Sequence, residues 1–333
     1  HRVNKVANLS AQERAELFAE TGARRGMAPA VVEKDFWVCW ALSRLFDTES
    51  ISKKILFKGG TSLSKVFNLI ERFSEDIDLI LRWDEITQED PLEQRSRKQQ
   101  RIFNEELRQK GHQYIQDRLF PEINKSLGDI CEIAIQDDEP AVINVHYPES
   151  YSESYLRPEI RLEIGPRALW CPNAKHSITS YAAEEFPDVF NDPKCQVNVV
   201  VAERTFWEKA TILHHEANRP EKNVQPLRYS RHYYDMACMA ISPIKDEALQ
   251  RLDLLESVVA FKDKFYPRGW ARYDLAVPGT FKLMPPDYMK SNLQKDYDDM
   301  RIMIYGEIPD FSEIINVLAA LEVEINQISN SQD

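Results

Sequence analysis

Two aspartates, Asp76 and Asp78, stand one residue apart inside the apolar run RFSEDIDLIL (72–81). No other feature restricts the possible folds of this chain as strongly. Ile77, Leu79, Ile80 and Leu81 predict a strand, in which residues two apart project from the same face. Two carboxylates about 7 Å apart on one face repel each other, and burying either without compensation is costly. A hard divalent cation removes that penalty, because Mg²⁺ takes oxygen ligands and keeps its other positions for water and phosphate. A solvated acidic strand edge is the competing reading, and a DxD pattern by itself does not separate the two.

The upstream stretch FKGGTSLSK (57–65) does more. Ile55–Phe57 reads as a short strand ending at Gly59 and Gly60, with a helix over Thr61–Ile70. A helix N-terminus after a glycine turn offers free N–H groups and hydroxyls to an anion. Neither the GxxxxGK[ST] loop nor GxGxxG is present. Alone, the glycines make a tight strand–helix turn as readily as a cradle. Followed by DxD on the next strand, they place a candidate phosphate site beside a candidate metal pair. That order is the sequence logic of the polymerase β-like nucleotidyltransferase fold, which adds a third carboxylate from a neighbouring strand to hold two metals. The stretch RPEIRLEIGPR (157–167) supplies candidates. It alternates Glu159, Arg161 and Glu163 with Ile160, Leu162 and Ile164. Glu163 is the first choice, Glu159 the second, and Arg161 or Arg167 is placed to neutralise phosphate. An ordinary half-exposed strand would show the same alternation.

Around these motifs the chain reads as α+β. Ser10 and Glu13 form a capping box for a helix over 11–25, and Pro29 opens a second. Residues 1–50 are thus a helical lead-in and 51–202 a mixed-sheet core. A charged, glutamine-rich insertion around 90–127 reads as one long or broken helix, anchored by Ile102, Leu107, Tyr114 and Leu119. Strands are expected at 130–136, 141–147, 156–165 and 197–202. Helices at 203–217, 228–241, 245–262, 286–304 and 310–328 make a helical C-terminal domain over 203–333. Trp37, Trp40, Phe206 and Trp207 read as core rather than as base-stacking platforms. His214 and His215 point about 100° apart on a helix, so they do not share one ion.

Composition narrows the setting. The 333 residues carry 43% hydrophobic and 29% charged residues, which excludes overall disorder. No apolar window reaches membrane-spanning length, and HRVNKVANLSAQERAELF lacks the apolar run of a secretory leader, so no membrane partner is expected. Five scattered cysteines without a CxxC pair argue against a disulfide framework or structural zinc, and a reducing cytoplasm is the expected location. A net charge of −12 is unusual for a nucleic-acid binder, but QRSRKQQR (94–101) is locally basic. That segment suits an RNA backbone and a solvated helix face equally well.

With GGTSLSK (59–65) and RFSEDIDL (72–79) in order, the chain resembles the AbiEii/AbiGii toxin family of nucleotidyl transferases. RTFWEKATILHHEA (204–217) resembles that family's lysine-bearing helix, here with Lys209. RYSRHYYDMACM (228–239) resembles its Arg-His-xx-Asp helix, here Arg231, His232 and Asp235. The resemblance spans about 51–241. It implies a toxin of a type IV toxin–antitoxin or abortive phage-defence system, with NTP and an RNA acceptor, tRNA foremost, as substrates. A cognate antitoxin is the implied partner, and Mg²⁺, or Mn²⁺, in a two-metal site is the implied cofactor. Asp76, Asp78 and Glu163 are then metal ligands and, with Lys209, catalytic. Gly59, Gly60, Thr61, Ser62, Lys65, Arg161, Arg231 and Asp235 are nucleotide-binding candidates. On its own helix Lys209 reads equally as a surface lysine, and Arg228, Arg231 and Asp235 as a salt-bridge ladder in which Asp235 orients Arg231 or His232. Two other functions fit the residues: a DxD glycosyltransferase using a nucleotide-sugar, and a non-catalytic binding protein on a transferase scaffold.

Overall fold

Seven strands form a mixed sheet in the order β3-β4-β5-β2-β1-β7-β6 in a computed structural model of the chain, which describes residues 4–165, 171–190 and 194–328. The strands are β1 (Ile55–Lys58), β2 (Ile77–Leu81), β3 (Glu132–Gln136), β4 (Glu139–His146), β5 (Ile160–Gly165), β6 (Asn173–Thr179) and β7 (Lys194–Val200). β2 runs parallel to β5 and β1 parallel to β7, while the remaining pairs are antiparallel. Arg167 lies outside the described residues. The α+β class expected from the sequence is therefore observed. Contacts divide the chain into two units, 1–66 with 73–200, and 67–72 with 201–333. The sheet belongs wholly to the first.

The first unit starts with α1 (Ala11–Arg25), whose Ser10–Glu13 capping box forms as expected. α2 (Pro29–Asp47) begins at Pro29 and is buried on nearly every side, as a helix apolar all round must be. It packs on β7 and α1. Trp37 and Trp40 meet edge to face at 5.3 Å, and Tyr147 stacks on Trp37. They are core, as read from the sequence. α3 (Gly60–Lys65) is shorter than the expected helix over 61–70. α4 (Arg97–Tyr114), a π-helical turn at Ile115–Leu119 and α5 (Phe120–Leu127) realise the long or broken helix of the 90–127 region. Ile102 does not anchor it, being 47% exposed, whereas Phe103 is buried. α6 (Tyr181–Glu185) and β6 were not expected. β6 reads NAKHSIT and is solvent-facing through Ser177, so it lacks the apolar alternation that marks a strand.

The second unit is helical: α7 (Ala202–Ala217), α8 (Ser230–Ala240), α9 (Ile244–Leu249), α10 (Leu252–Phe265), α11 (Lys290–Met300) and α12 (Phe311–Asn326). The helix expected over 245–262 is two helices, broken at Gln250–Arg251. Phe206 and Trp207 are fully buried, and the Trp207 indole N–H donates to the Ala248 carbonyl at 2.9 Å. His214 Nδ1 accepts from the Lys282 amide at 3.0 Å, and its Nε2 lies 2.8 Å from the Arg272 carbonyl. His215 instead stacks on Trp270 at 4.6 Å. The two histidines thus serve packing separately, as expected.

Residues 67–72 explain why α3 stops early. Asn68 takes a left-handed backbone with φ 51°, which ends a right-handed helix and which asparagine tolerates. The Glu71 carbonyl then accepts the Tyr305 amide at 3.0 Å, and Arg72 bridges Ile304 in antiparallel fashion. The Tyr234 hydroxyl accepts the Glu71 amide at 3.2 Å. The spacer between the glycines and the aspartates is thus a segment pinned inside the second unit.

Candidate active site

Sheet register brings the principal carboxylates together. Asp78 on β2 pairs with Glu163 on β5, its parallel neighbour, and with Lys58 on β1. Residues in register on neighbouring strands point to the same face, so Asp78 and Glu163 stand side by side. The intervening Ile77, Leu79, Leu162 and Ile164 are buried, as the alternation predicts. Asp76 precedes β2 by one residue.

Gly59 closes this corner. It has φ 86°, a backbone region that side-chain-bearing residues avoid, and a Cβ built on it would collide with the Asp78 carboxylate. Glycine here answers both to the turn and to the acid beside it. Gly60 opens α3, and the first-turn N–H groups of Gly60, Thr61 and Ser62 have no carbonyl one turn earlier in the helix. The hydroxyls expected at an anion are used internally. Thr61 Oγ1 lies 2.8 Å from Ser74 Oγ and also bonds the Asp76 carbonyl. Ser62 Oγ donates to the Gly59 carbonyl at 2.6 Å. Thr61 therefore fastens the glycine turn to the approach of the DxD strand, and only main-chain N–H groups are left for an anion.

The side chains around the acids sort into distinct roles. Arg157 Nη1 lies 2.9 and 3.1 Å from the two Asp76 oxygens. Arg161 bonds Glu139 at 2.7 Å and sits 3.4 Å from Glu163. Glu159 has no resolved place among these contacts. Lys65, a nucleotide-binding candidate, has its side chain 5% exposed and pairs with buried Asp35 at 2.8 Å, over the Tyr181 ring. This ammonium is committed to the core. Burial, with Asp78 and then Asp76 nearby, pushes the Glu163 carboxyl up to about 8, against a weaker pull from Arg161. Burial likewise raises Asp76, opposed by Arg157.

A pH dependence follows for the metal-free protein. Glu163 binds its proton more tightly folded than unfolded, so its stabilisation is full below the unfolded value near 4.5 and is lost as pH rises through about 8. Melting temperature should accordingly fall between pH 5 and 8 in chelator-treated protein. Glu163 is 39% exposed, which keeps the change small. Glu163→Gln should flatten that slope; an unaltered slope in the variant would show that the carboxyl is not the source.

In the second unit, Asp235 gathers cations. Arg72 Nε and Nη2 bond its two oxygens at 2.7 and 2.8 Å, and Lys209 Nζ lies 2.9 Å from Oδ2. Lys209 also bonds His232 Nδ1 at 2.9 Å. Burial alone would raise Asp235, but Arg72 and Lys209 overcome it and hold the carboxyl down at about 2. Burial, Lys209 and Arg231 keep His232 neutral. Arg228 precedes α8 with φ 66°, and its amide donates to Asp296. Asp235 bonds Arg72 and Lys209, and Arg231 is half-buried.

Sequence reasoning passed over Arg157, Glu75, Lys34 and Arg72. The signal for Lys34 was present, since Glu33, Lys34 and Asp35 interrupt the apolar run of α2 much as the aspartates interrupt β2. All three are buried.

The model of the nucleotidyl transferase AbiEii toxins of type IV toxin–antitoxin systems matches residues 40–318. The chain belongs to this family. It is a nucleotidyltransferase, and the four motif blocks all fall within the matched span. Among solved structures, it is similar to MenT4, a nucleotidyltransferase toxin from Mycobacterium tuberculosis, at 18% identity and a TM-score of 0.48, covering 92% of this chain and 98% of that one. It is also similar to a candidate nucleotidyltransferase from H. pylori at 14% identity and a TM-score of 0.38, covering 97% and 100%. No curated protein sequence matches significantly. Cys39, Cys131 and Cys238 are free thiols, and no described helix is long and apolar enough to cross a membrane.

Proposed function

We propose that this enzyme transfers a nucleotide from an NTP to an RNA acceptor, with tRNA foremost, in a divalent-cation-dependent reaction. The observation that carries the reading is the cross-strand pairing of Asp78 with Glu163 beside the side-chain-free corner at Gly59. Two adjacent acids at one strand register are a donor set suited to Mg²⁺ or Mn²⁺. Among the described residues, no group of three or more such ligands is already gathered for an ion, because Asp76 faces Arg157. Asp78 and Glu163 would hold the cation, with Asp76 as the third ligand. When bound, the cation supplies charge neutralisation and polarises a phosphate oxygen.

The chain's own groups account for the rest. First-turn N–H groups of Gly60, Thr61 and Ser62 offer donors to phosphate oxygens without a side chain in the way. Glu163, in register beside Asp78, is the residue assigned to take the proton from the acceptor hydroxyl. Phosphoryl-type transfer needs positioning and charge neutralisation more than covalent help, so this short inventory suffices. Arg97, Lys98 and Arg101 lie exposed at the start of α4 and suit an RNA backbone. Arg95 serves the fold instead: Nη2 bonds the Asp90 carbonyl at 2.7 Å and its guanidinium covers Phe103.

Purified protein incubated with Mg²⁺, total cellular RNA and each labelled NTP in turn should label RNA of tRNA size with one or a few of the nucleotides. A complete failure to label RNA, protein or the enzyme itself would sink this reading.

A further inference from the structure

The main chain of Arg157 is held at two points, by Glu75 and by Lys34. Its amide donates to Glu75 Oε1 at 2.9 Å, and its carbonyl accepts Lys34 Nζ at 2.7 Å. Lys34 and Glu75 pair with each other at 2.8 Å, with side chains 0% and 7% exposed. The main chain at position 157 is thus clamped on both sides by a buried ion pair. From that fixed base the side chain reaches Asp76, the residue after Glu75, and places Nη1 on both carboxylate oxygens. This end is wetter, with Arg157 30% and Asp76 18% exposed. A surface ion pair between two free arms would show no such division between a buried anchor and an accessible head.

We infer that Arg157 is a positioning residue of the transferase site, acting through Asp76: it holds this carboxylate until a divalent cation takes it over. The inference rests on the metal reading proposed above. Guanidinium and cation compete for the same two oxygens, so one leaves as the other arrives, with no covalent bond made or broken. The clamped main chain keeps the guanidinium within reach, so it reseats when the cation departs. In the resting enzyme the pair neutralises a carboxylate that would otherwise add to the repulsion at Asp78 and Glu163. A consequence is that cation affinity includes the work of displacing Arg157.

Mn²⁺ binding to the full chain without nucleotide, followed by electron paramagnetic resonance at pH 8, tests this directly. Arg157→Gln should bind Mn²⁺ about fivefold more tightly than the wild type, the size expected for a partly exposed ion pair. Arg157→Lys, which keeps a positive charge on a shorter, more strongly hydrated arm, should fall between the two and carries the test if the glutamine variant does not fold. Wild-type binding with unchanged or weaker affinity in both variants overturns the role of Arg157 and leaves the metal site standing. No Mn²⁺ binding by the wild type overturns both.

Discussion

Asp76→Ala combined with Asp78→Ala should lower nucleotide transfer by at least about 10³-fold while leaving the protein folded, since removing even one preorganised electrostatic contact commonly costs 10²- to 10³-fold. The loss comes from the chemistry and not from the scaffold, because neither acid is a net structural contributor. Asp78 stands in register with Glu163, and its charge adds to burial, the larger cause, in pushing Glu163 up to about 8. Deleting Asp78 relieves that repulsion. Asp76 has a favourable partner in Arg157, but the pair is partly exposed and contributes only about 1 kcal/mol or less. The two changes therefore offset, and the melting temperature should stay within a few degrees of the wild type. Asp78→Ala alone should be the more stable of the single variants. Labelled-NTP transfer and thermal unfolding, measured on the same preparations, check both halves. Retained transfer in the folded double variant would remove these aspartates from the reaction.

Asp235→Ala should have the opposite profile, a large loss of stability. Asp235 is fully buried and neutralises both Arg72 and Lys209. Breaking a buried pair leaves uncompensated charge in the interior and costs about 3–5 kcal/mol. Here two cations would be stranded rather than one. Arg72→Met should cost less, because Asp235 keeps Lys209 and a methionine fills most of the volume. Denaturant midpoints for the two variants provide the comparison. Equal losses would mean that the carboxylate does not organise the cluster. Arg72 is also the last residue of the segment pinned by Tyr305, Ile304 and Tyr234. Loosening it frees the chain immediately before Phe73, four residues from Asp76.

Much of this was legible in the residues because it depends on local rules. The capping box at Ser10, the Pro29 helix start and the strand at Ile77–Leu81 each follow from short-range preference and periodicity. Glu163 was legible too, since alternation along β5 put it on the polar face. β6 was hidden because its side chains meet solvent on both faces, which leaves no pattern to read. The end of α3 was hidden for a different reason: Asn68 turns left-handed where the chain after it is held by Tyr305 and Tyr234, residues far along the sequence whose hydrogen bonds override helix propensity. The destinations of long cations were least legible. Lys65 looked like a phosphate ligand in its motif but is spent on Asp35, while Arg157 drew no notice and lies on Asp76. Where a flexible charged arm finds its partner depends on residues far away in sequence, as Asp35 and Arg157 are.

The α+β class and the family could be read from the residues alone, because apolar period and carboxylates in apolar runs are local and chemically costly signals. Tertiary structure alone decided what each charge does. It set Asp78 against Glu163 through strand register, gave Asp76 to Arg157, and made Gly59 obligatory by bringing a carboxylate to where its side chain would be. Electrostatic energies depend on separation and burial, and neither quantity exists until the chain has folded.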